Sequence, residues 1–167
     1  MPFRTRTRIL RMTAAAVVLA GLGLALAGCG TQSPRVDTEF ERMGEAIGGW
    51  PSVESASVDG SYNGLPTSRN LEITINLEQT DGVDLTEYLN HALENAWKFD
   101  VYEPAHVWVD MYDMSVDVAP GYARRAIDLS EAAEALGLEA EHDGEVSVSA
   151  DDMAEKYGPW PLESSAD

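Results

Sequence analysis

The chain has 167 residues, 29 acidic against 11 basic side chains, a formal charge of −18, one cysteine and 44 % hydrophobic residues. The length suits one domain and leaves two cramped. The charge argues against binding nucleic-acid phosphates, the lone cysteine excludes an internal disulfide, a Cys-rich zinc site or an iron–sulfur cluster, and the apolar content excludes wholesale disorder.

Arg4, Arg6, Arg8 and Arg11 are the only charged residues before Cys29. An apolar run of 14 residues follows, Ala14 to Ala27, interrupted only by Gly21 and Gly23. That is short of the ~20 residues a helix needs to cross the hydrocarbon of a bilayer. A basic segment before a short apolar one reads as a secretory signal over residues 1–28, and no twin-arginine pair precedes it.

The end of that run, Leu26-Ala27-Gly28-Cys29, resembles the lipobox of bacterial lipoproteins: apolar, small, small, Cys. The resemblance covers residues 1 to about 30. It implies diacylglycerol in thioether linkage to the Cys29 sulfur and cleavage before Cys29. The residue types suit the chemistry. Small side chains let the backbone enter a peptidase cleft, and the thiol is the nucleophile for alkylation. One acyl chain holds a protein at a bilayer only marginally, whereas two hold it stably. Loss of residues 1–28 removes four arginines and no acid, which leaves 139 residues with seven basic and 29 acidic side chains, a charge of −22.

Residues 29–35 are the lipidated cysteine and a short polar linker, and 36–162 are read as one α+β domain. Val36, Phe40, Met43 and Ile47 recur at helical spacing, and Gly48-Gly49 stops the helix. Ala56, Val58 and Tyr62 share one strand parity, with a turn at Asn63-Gly64 and Pro66. Leu71, Ile73, Ile75 and Leu77 alternate with Glu72, Thr74 and Asn76, which predicts a second strand and a hairpin. Asp84-Leu-Thr-Glu87 opens a helix with apolar Leu85, Leu89, Ala92, Leu93 and Ala96, running to Lys98. Ala105, Val107, Val109 and Met111 mark the next strand, and Val116 and Val118 a short return strand. Asp128-Leu-Ser-Glu131 opens a helix stopped by Gly137, Val146 and Val148 mark a last strand, and Ser149-Ala-Asp-Asp152 caps a short helix ending at Gly158-Pro159. Residues 163–167 form an acidic tail expected to fray. From Leu71 the order is β-α-β-β-α-β, the split order of a ferredoxin-like sandwich, here with an extra N-terminal helix and strand and a C-terminal short helix.

Chemistry is sparse along the chain. His91, His106 and His142 are not spaced for a metal, and no H-E-x-x-H occurs. No G-x-S-x-G or S-x-x-K supplies a nucleophile, so a hydrolase would need a carboxylate pair. No catalytic residue, metal ligand or cofactor is assigned. Acidic groups at Asp81/Asp84, Asp110/Asp113/Asp117, Asp143/Glu145 and Asp151/Asp152 have the oxygen chemistry for a hard cation, but none matches a calcium loop. Helix starts and turns account for Asp84, Asp152, Asp81 and Asp143.

Aromatics give the better surface clue. Trp108 and Tyr112 take the parity opposite Val107, Val109 and Met111, as does His106. On an open sheet face such aromatics stack on a sugar ring or anchor a partner. The competing expectation is that the N-terminal helix or the tail Tyr157–Leu162 covers them. Trp50, Trp97 and Trp160 are read as packing residues.

With nine Arg to two Lys, the lipobox and an acidic mature domain, the chain resembles small lipoproteins of high-GC Gram-positive bacteria. The resemblance implies the outer face of the cell membrane and no activity. The expected role is a non-catalytic binding or accessory module, lipid-anchored through Cys29, that docks an envelope protein or wall polymer through Trp108, Tyr112 and His106. The alternative is a divalent-cation or small-ligand sensor using surface carboxylates, and behind it a carboxylate-based hydrolase.

Overall fold

The computed structural model describes residues 33–62, 64, 68–116, 125–140 and 145–162, all within one compact unit, Ser33–Asp167. Cys29 and its lipobox, the turn residues Asn63 and Pro66, the expected strand residue Val118, Asp117, His142, Asp143 and the tail 163–167 lie outside the described residues. No helix among the described residues is long and apolar enough to cross a membrane.

Helix α1 spans Pro34–Gly48. It therefore begins inside the segment expected to be linker, because proline at a first helical position gives up an N–H that has no helical partner anyway. Val36, Phe40, Met43 and Ile47 are buried at the expected spacing. The chain turns at Trp50-Pro51-Ser52 into strand β1, Val53–Tyr62, with Ser52 at φ 56°. Strand β2, Arg69–Leu77, returns antiparallel, pairing Ala56 with Ile75 and Val58 with Ile73. Leu71, Ile73, Ile75 and Leu77 are buried as their alternation requires, each such side chain contributing roughly 1.5–3 kcal/mol relative to exposure.

Helix α2, Leu85–Lys98, is capped by Asp84, whose carboxylate accepts from the Thr86 and Glu87 N–H groups. It carries the chain to β3, His106–Asp113, which lies parallel and directly beside β2. Strand β4 is Arg125–Ala126, helix α3 is Ser130–Ala135, strand β5 is Glu145–Ser149 and helix α4 is Ala150–Tyr157. Gly137, at φ 74°, follows α3 in the left-handed region that glycine tolerates. The Ser149 hydroxyl and Asp152 cap α4 reciprocally, with Ser149 Oγ donating to the Asp152 carboxylate at 2.6 Å and accepting from Asp152 N–H at 3.2 Å.

The molecule is α+β with a mixed sheet of five strands among the described residues. The strand order departs from the expected split arrangement. β1 occupies the outer edge of β2, and no described strand separates β2 from β3. On the other edge of β3, β5 pairs with residues 106–110 and β4 with 112–113, so the two share that edge end to end. A local hairpin claims the edge of β2 first, and a two-residue β4 cannot intervene between β2 and β3. The return strand itself falls at Arg125–Ala126, later than the expected 116–118.

Helices α1 to α4 all bury their apolar side chains against one sheet face, in a single cluster with Leu71, Val107, Val109 and Val146. Gly60 lets this layer close. A Cβ there would come within 2.9 Å of both the Phe40 ring and the Tyr102 hydroxyl. Beyond α4 the chain straps α2: Trp97 donates from its indole to Gly158 O at 2.8 Å, Trp160 donates to Phe99 O at 2.8 Å, and Leu162 N–H donates to Trp97 O at 2.9 Å.

Two half-buried phenols join this layer. Tyr102 donates to Asn70 O and Tyr157 to Asn90 Oδ1. Burial pushes the Tyr102 hydroxyl from 10.0 up to about 12, with the Arg69 guanidinium opposing, and burial followed by the Glu94 charge raises Tyr157. The folded state thus holds these protons more tightly than the unfolded chain. Their stabilisation is complete below pH 10 and is lost as pH rises through about 12. A series of thermal melts should show the midpoint falling across that window, and Tyr102→Phe should blunt the fall. A midpoint flat to pH 12 would contradict the burial of these hydroxyls.

Candidate functional site

The side of the sheet away from the helices is polar from edge to edge. The strand registers arrange it in rows. Ser61, Asn70, His106 and Ser149 form one row. Asp59, Glu72, Trp108 and Ser147 form the next, and Ser57, Thr74, Asp110 and Glu145 the third. Tyr112 follows beside Asn76 and Ala126. Neighbouring strands are ~4.8 Å apart, and alternate residues along β3 are ~6.6 Å apart. His106, Trp108 and Tyr112 therefore stand in one line down the central strand, as their parity requires.

Neither element expected to cover Trp108 does so. α1 packs on the helical side, against β1, and the segment Tyr157–Leu162 packs there too, against α2. Each has an apolar face of its own to bury, and among the described residues the apolar cluster lies on that side. Trp108 is nonetheless half-buried.

Among the described residues, two buried side-chain polar atoms lack a hydrogen-bond partner: Asn70 Oδ1 and Trp108 Nε1. Both belong to this face, on adjacent strands and adjacent rows. Asn70 is 6 % exposed, and its amide nitrogen donates to Ser61 Oγ at 3.4 Å. A buried polar group left unpaired costs about 1–3 kcal/mol. Asn70 was not singled out by its sequence, although it continues the polar alternation of Glu72, Thr74 and Asn76 one step earlier.

The face is acidic. Asp59 lies opposite Glu72 and Asp110 opposite Glu145, and no Lys or Arg stands in the rows just named. Like charges directly across a ladder oppose folding. The expected Asp110/Asp113/Asp117 cluster does not form from its described members. Three residues along a strand reverse the side, so Asp113 leaves the face that carries Asp110. Asp113 instead accepts from the Ser115 N–H and hydroxyl, which hold its carboxyl below the ordinary range. Among the described residues no group of three or more His, Cys, Asp or Glu side chains could hold a metal ion.

His106 also opens onto a half-open groove of about 740 Å³ between the outer edge of β5, the 136–139 turn and α4. Ser147 and Ser149 line both surfaces, so the groove continues the polar face around the sheet edge. Lys156 crosses it and donates to Leu136 O at 2.8 Å. His91 sits apart, exposed on α2 with its ring against Trp50.

No family model matches this sequence, and neither the curated proteins nor the solved structures contain a match to it.

Proposed function

We propose that this protein is a lipid-anchored, non-catalytic binding module on the outer face of the cell membrane. It docks a neutral, hydroxyl-rich segment of a wall polymer on the sheet face centred on Trp108. The lipobox motif at Leu26–Cys29 motivates the anchor and the location. The observation that carries the binding surface is that both unpartnered buried polar atoms, Asn70 Oδ1 and Trp108 Nε1, belong to the one sheet face that no described helix covers.

The chemistry of the face selects the ligand class. An indole ring offers a flat apolar surface to a sugar ring, and the surrounding amide, hydroxyl and carboxylate groups accept or donate to hydroxyls. The carboxylates at Asp59, Glu72, Asp110 and Glu145 repel anionic polymers and tolerate neutral ones. An envelope protein presenting neutral or cationic groups would meet the same requirements, and it is the outcome that the test separates.

Trp108→Ala should weaken retention on purified neutral wall polysaccharide by about 30-fold, the effect of losing a central aromatic contact worth ~2 kcal/mol. Its melting midpoint should stay close to that of the parent chain, since Trp108 lies outside the apolar core. Equal retention of both proteins would remove Trp108 from the binding surface. Retention by neither, with capture of an envelope protein that depends on Trp108, would move the ligand to the protein class.

A further inference from the structure

Three residues separate Cys29 from Ser33, the N-cap of α1. Those four residue steps span at most ~14 Å. With the anchor at Cys29, on which this inference rests, the first turn of α1 stays within that reach of the lipid headgroups. The surface so placed can be traced contact by contact. Arg35, in that first turn, pairs with Asp100 at 3.2 Å. One turn on, the Phe40 ring stacks on Phe99 with centroids 5.4 Å apart, and Phe99 meets Tyr102 edge-on at 4.9 Å. The Arg69 guanidinium lies 5.0 Å from the Tyr102 ring centroid and 5.3 Å from that of Tyr62. Tyr62 ends β1 and Arg69 begins β2, directly opposite one another. Lys98 ends α2 beside Phe99 and is exposed.

The side chains at this end suit a bilayer surface. Tyr62 is 53 % exposed, the most exposed large apolar side chain among the described residues. A tyrosine offers an apolar ring and a polar tip, the combination enriched where lipid meets water. Arg69 lies over two rings, which fixes the plane of its donor fork. Neither ion pair among the described residues uses it. A guanidinium held in this way matches the oxygens of a phosphate. Three of the seven basic side chains after Cys29 stand here: Arg35, Arg69 and Lys98. Asp37 and Glu103 are exposed at the same end. Bulk charge therefore does not make the surface, and the pairing of Tyr62 with Arg69 does.

We infer that this end of the domain docks on anionic phospholipid headgroups, with Arg69 and Lys98 against phosphates and the Tyr62 ring at the lipid–water boundary. The acyl chains supply the affinity, and the docked end sets the orientation. A domain at −22 needs such a device, because the rest of its surface is repelled by the same headgroups. The sheet then meets the membrane on its strand ends, where β1 stops and β2 starts. The face carrying Trp108 is left open to the side.

The chain's two lysines supply the test, since Lys98 is at this end and Lys156 is on α4. The full lipidated chain is placed in vesicles of phosphatidylglycerol and phosphatidylcholine, or in an uncharged detergent. Both lysines are acetylated to low extent and read by mass spectrometry. In vesicles Lys98 should be acetylated about fivefold more slowly relative to Lys156 than in detergent, the worth of one basic side chain at an anionic surface. Tyr62→Ser with Arg69→Gln should abolish that protection while the chain still floats with the vesicles. Tyr62→Ser alone, which keeps the Arg69 charge, should fall between. Flotation with Lys98 unprotected, or equal protection in the double variant, would overturn the docking and leave the anchor standing. Protection of Lys98 by inorganic phosphate in detergent would assign the site to a free anion and overturn it too. Failure of the parent chain to float would remove the anchor itself, and this inference with it.

Discussion

Trp97→Ala is expected to destabilise the domain by about 3–5 kcal/mol, the range for removing a large aromatic from a closed core. Trp97 is fully buried on α2, among the largest side chains of the core. Its loss removes more than volume. The indole N–H holds Gly158 O, and the Trp97 carbonyl receives the Leu162 N–H, so one residue fastens the C-terminal strap at both ends. Domains of this size are stable by only about 5–15 kcal/mol. Thermal unfolding followed by circular dichroism should show the midpoint fall by on the order of 10 °C. Trp97→Phe keeps most of the bulk and strands the Gly158 carbonyl, so it should fall between alanine and the parent. A change under ~1 kcal/mol for alanine would mean that the strap and the α2 core do not unfold together.

Cys29→Ala is expected to move the protein from the membrane fraction to the soluble one. Every buried methylene of an acyl chain contributes ~0.8 kcal/mol, and two chains convert marginal binding into a stable anchor. Nothing in the charge compensates for their loss. A mature domain at −22 is repelled by anionic lipid headgroups, and beyond ~8–10 Å salt screens even that interaction. Mass spectrometry of the parent chain should find an N-terminal fragment that starts at Cys29 and carries the mass of the diacylglycerol. Retention of Cys29→Ala on washed membranes would overturn the lipid anchor and, with it, the motif reading at Leu26–Cys29.

The elements were legible wherever a short-range rule governs them. Asp84 and Ser149 were readable as caps because capping spans three residues, and Leu71–Leu77 was readable as a strand because alternation is local. Strand order was not. Periodicity states which face a residue takes and is silent on which edge finds a partner, so the hairpin edge claimed by β1 could not be read from Leu71 onward. Proline 34 looked like linker punctuation when it was the first residue of a helix. The site divides the same way. The shared side of His106, Trp108 and Tyr112 followed from parity, and so should have the separation of Asp110 from Asp113, three residues apart. The strap's destination on α2 depended on contacts more than 60 residues apart in sequence, such as Trp97 with Gly158, and no local pattern encodes those.

β3 takes one neighbour from the chain before it and two from the chain after it. The hairpin of β1 and β2 can zip within about 1–10 μs, since its contacts are close in sequence. β3 then waits for β5, the last of the described strands to be made. Until β5 arrives, Val107, Val109 and Met111 stand beside an open ladder, and the apolar row of β2 has only α1 and α2 to shield it. A chain made N-terminus first passes through that state on every synthesis. The vulnerable interval for this protein is therefore the time between emergence of β3 and docking of β5, when an unpaired apolar edge invites association with other chains.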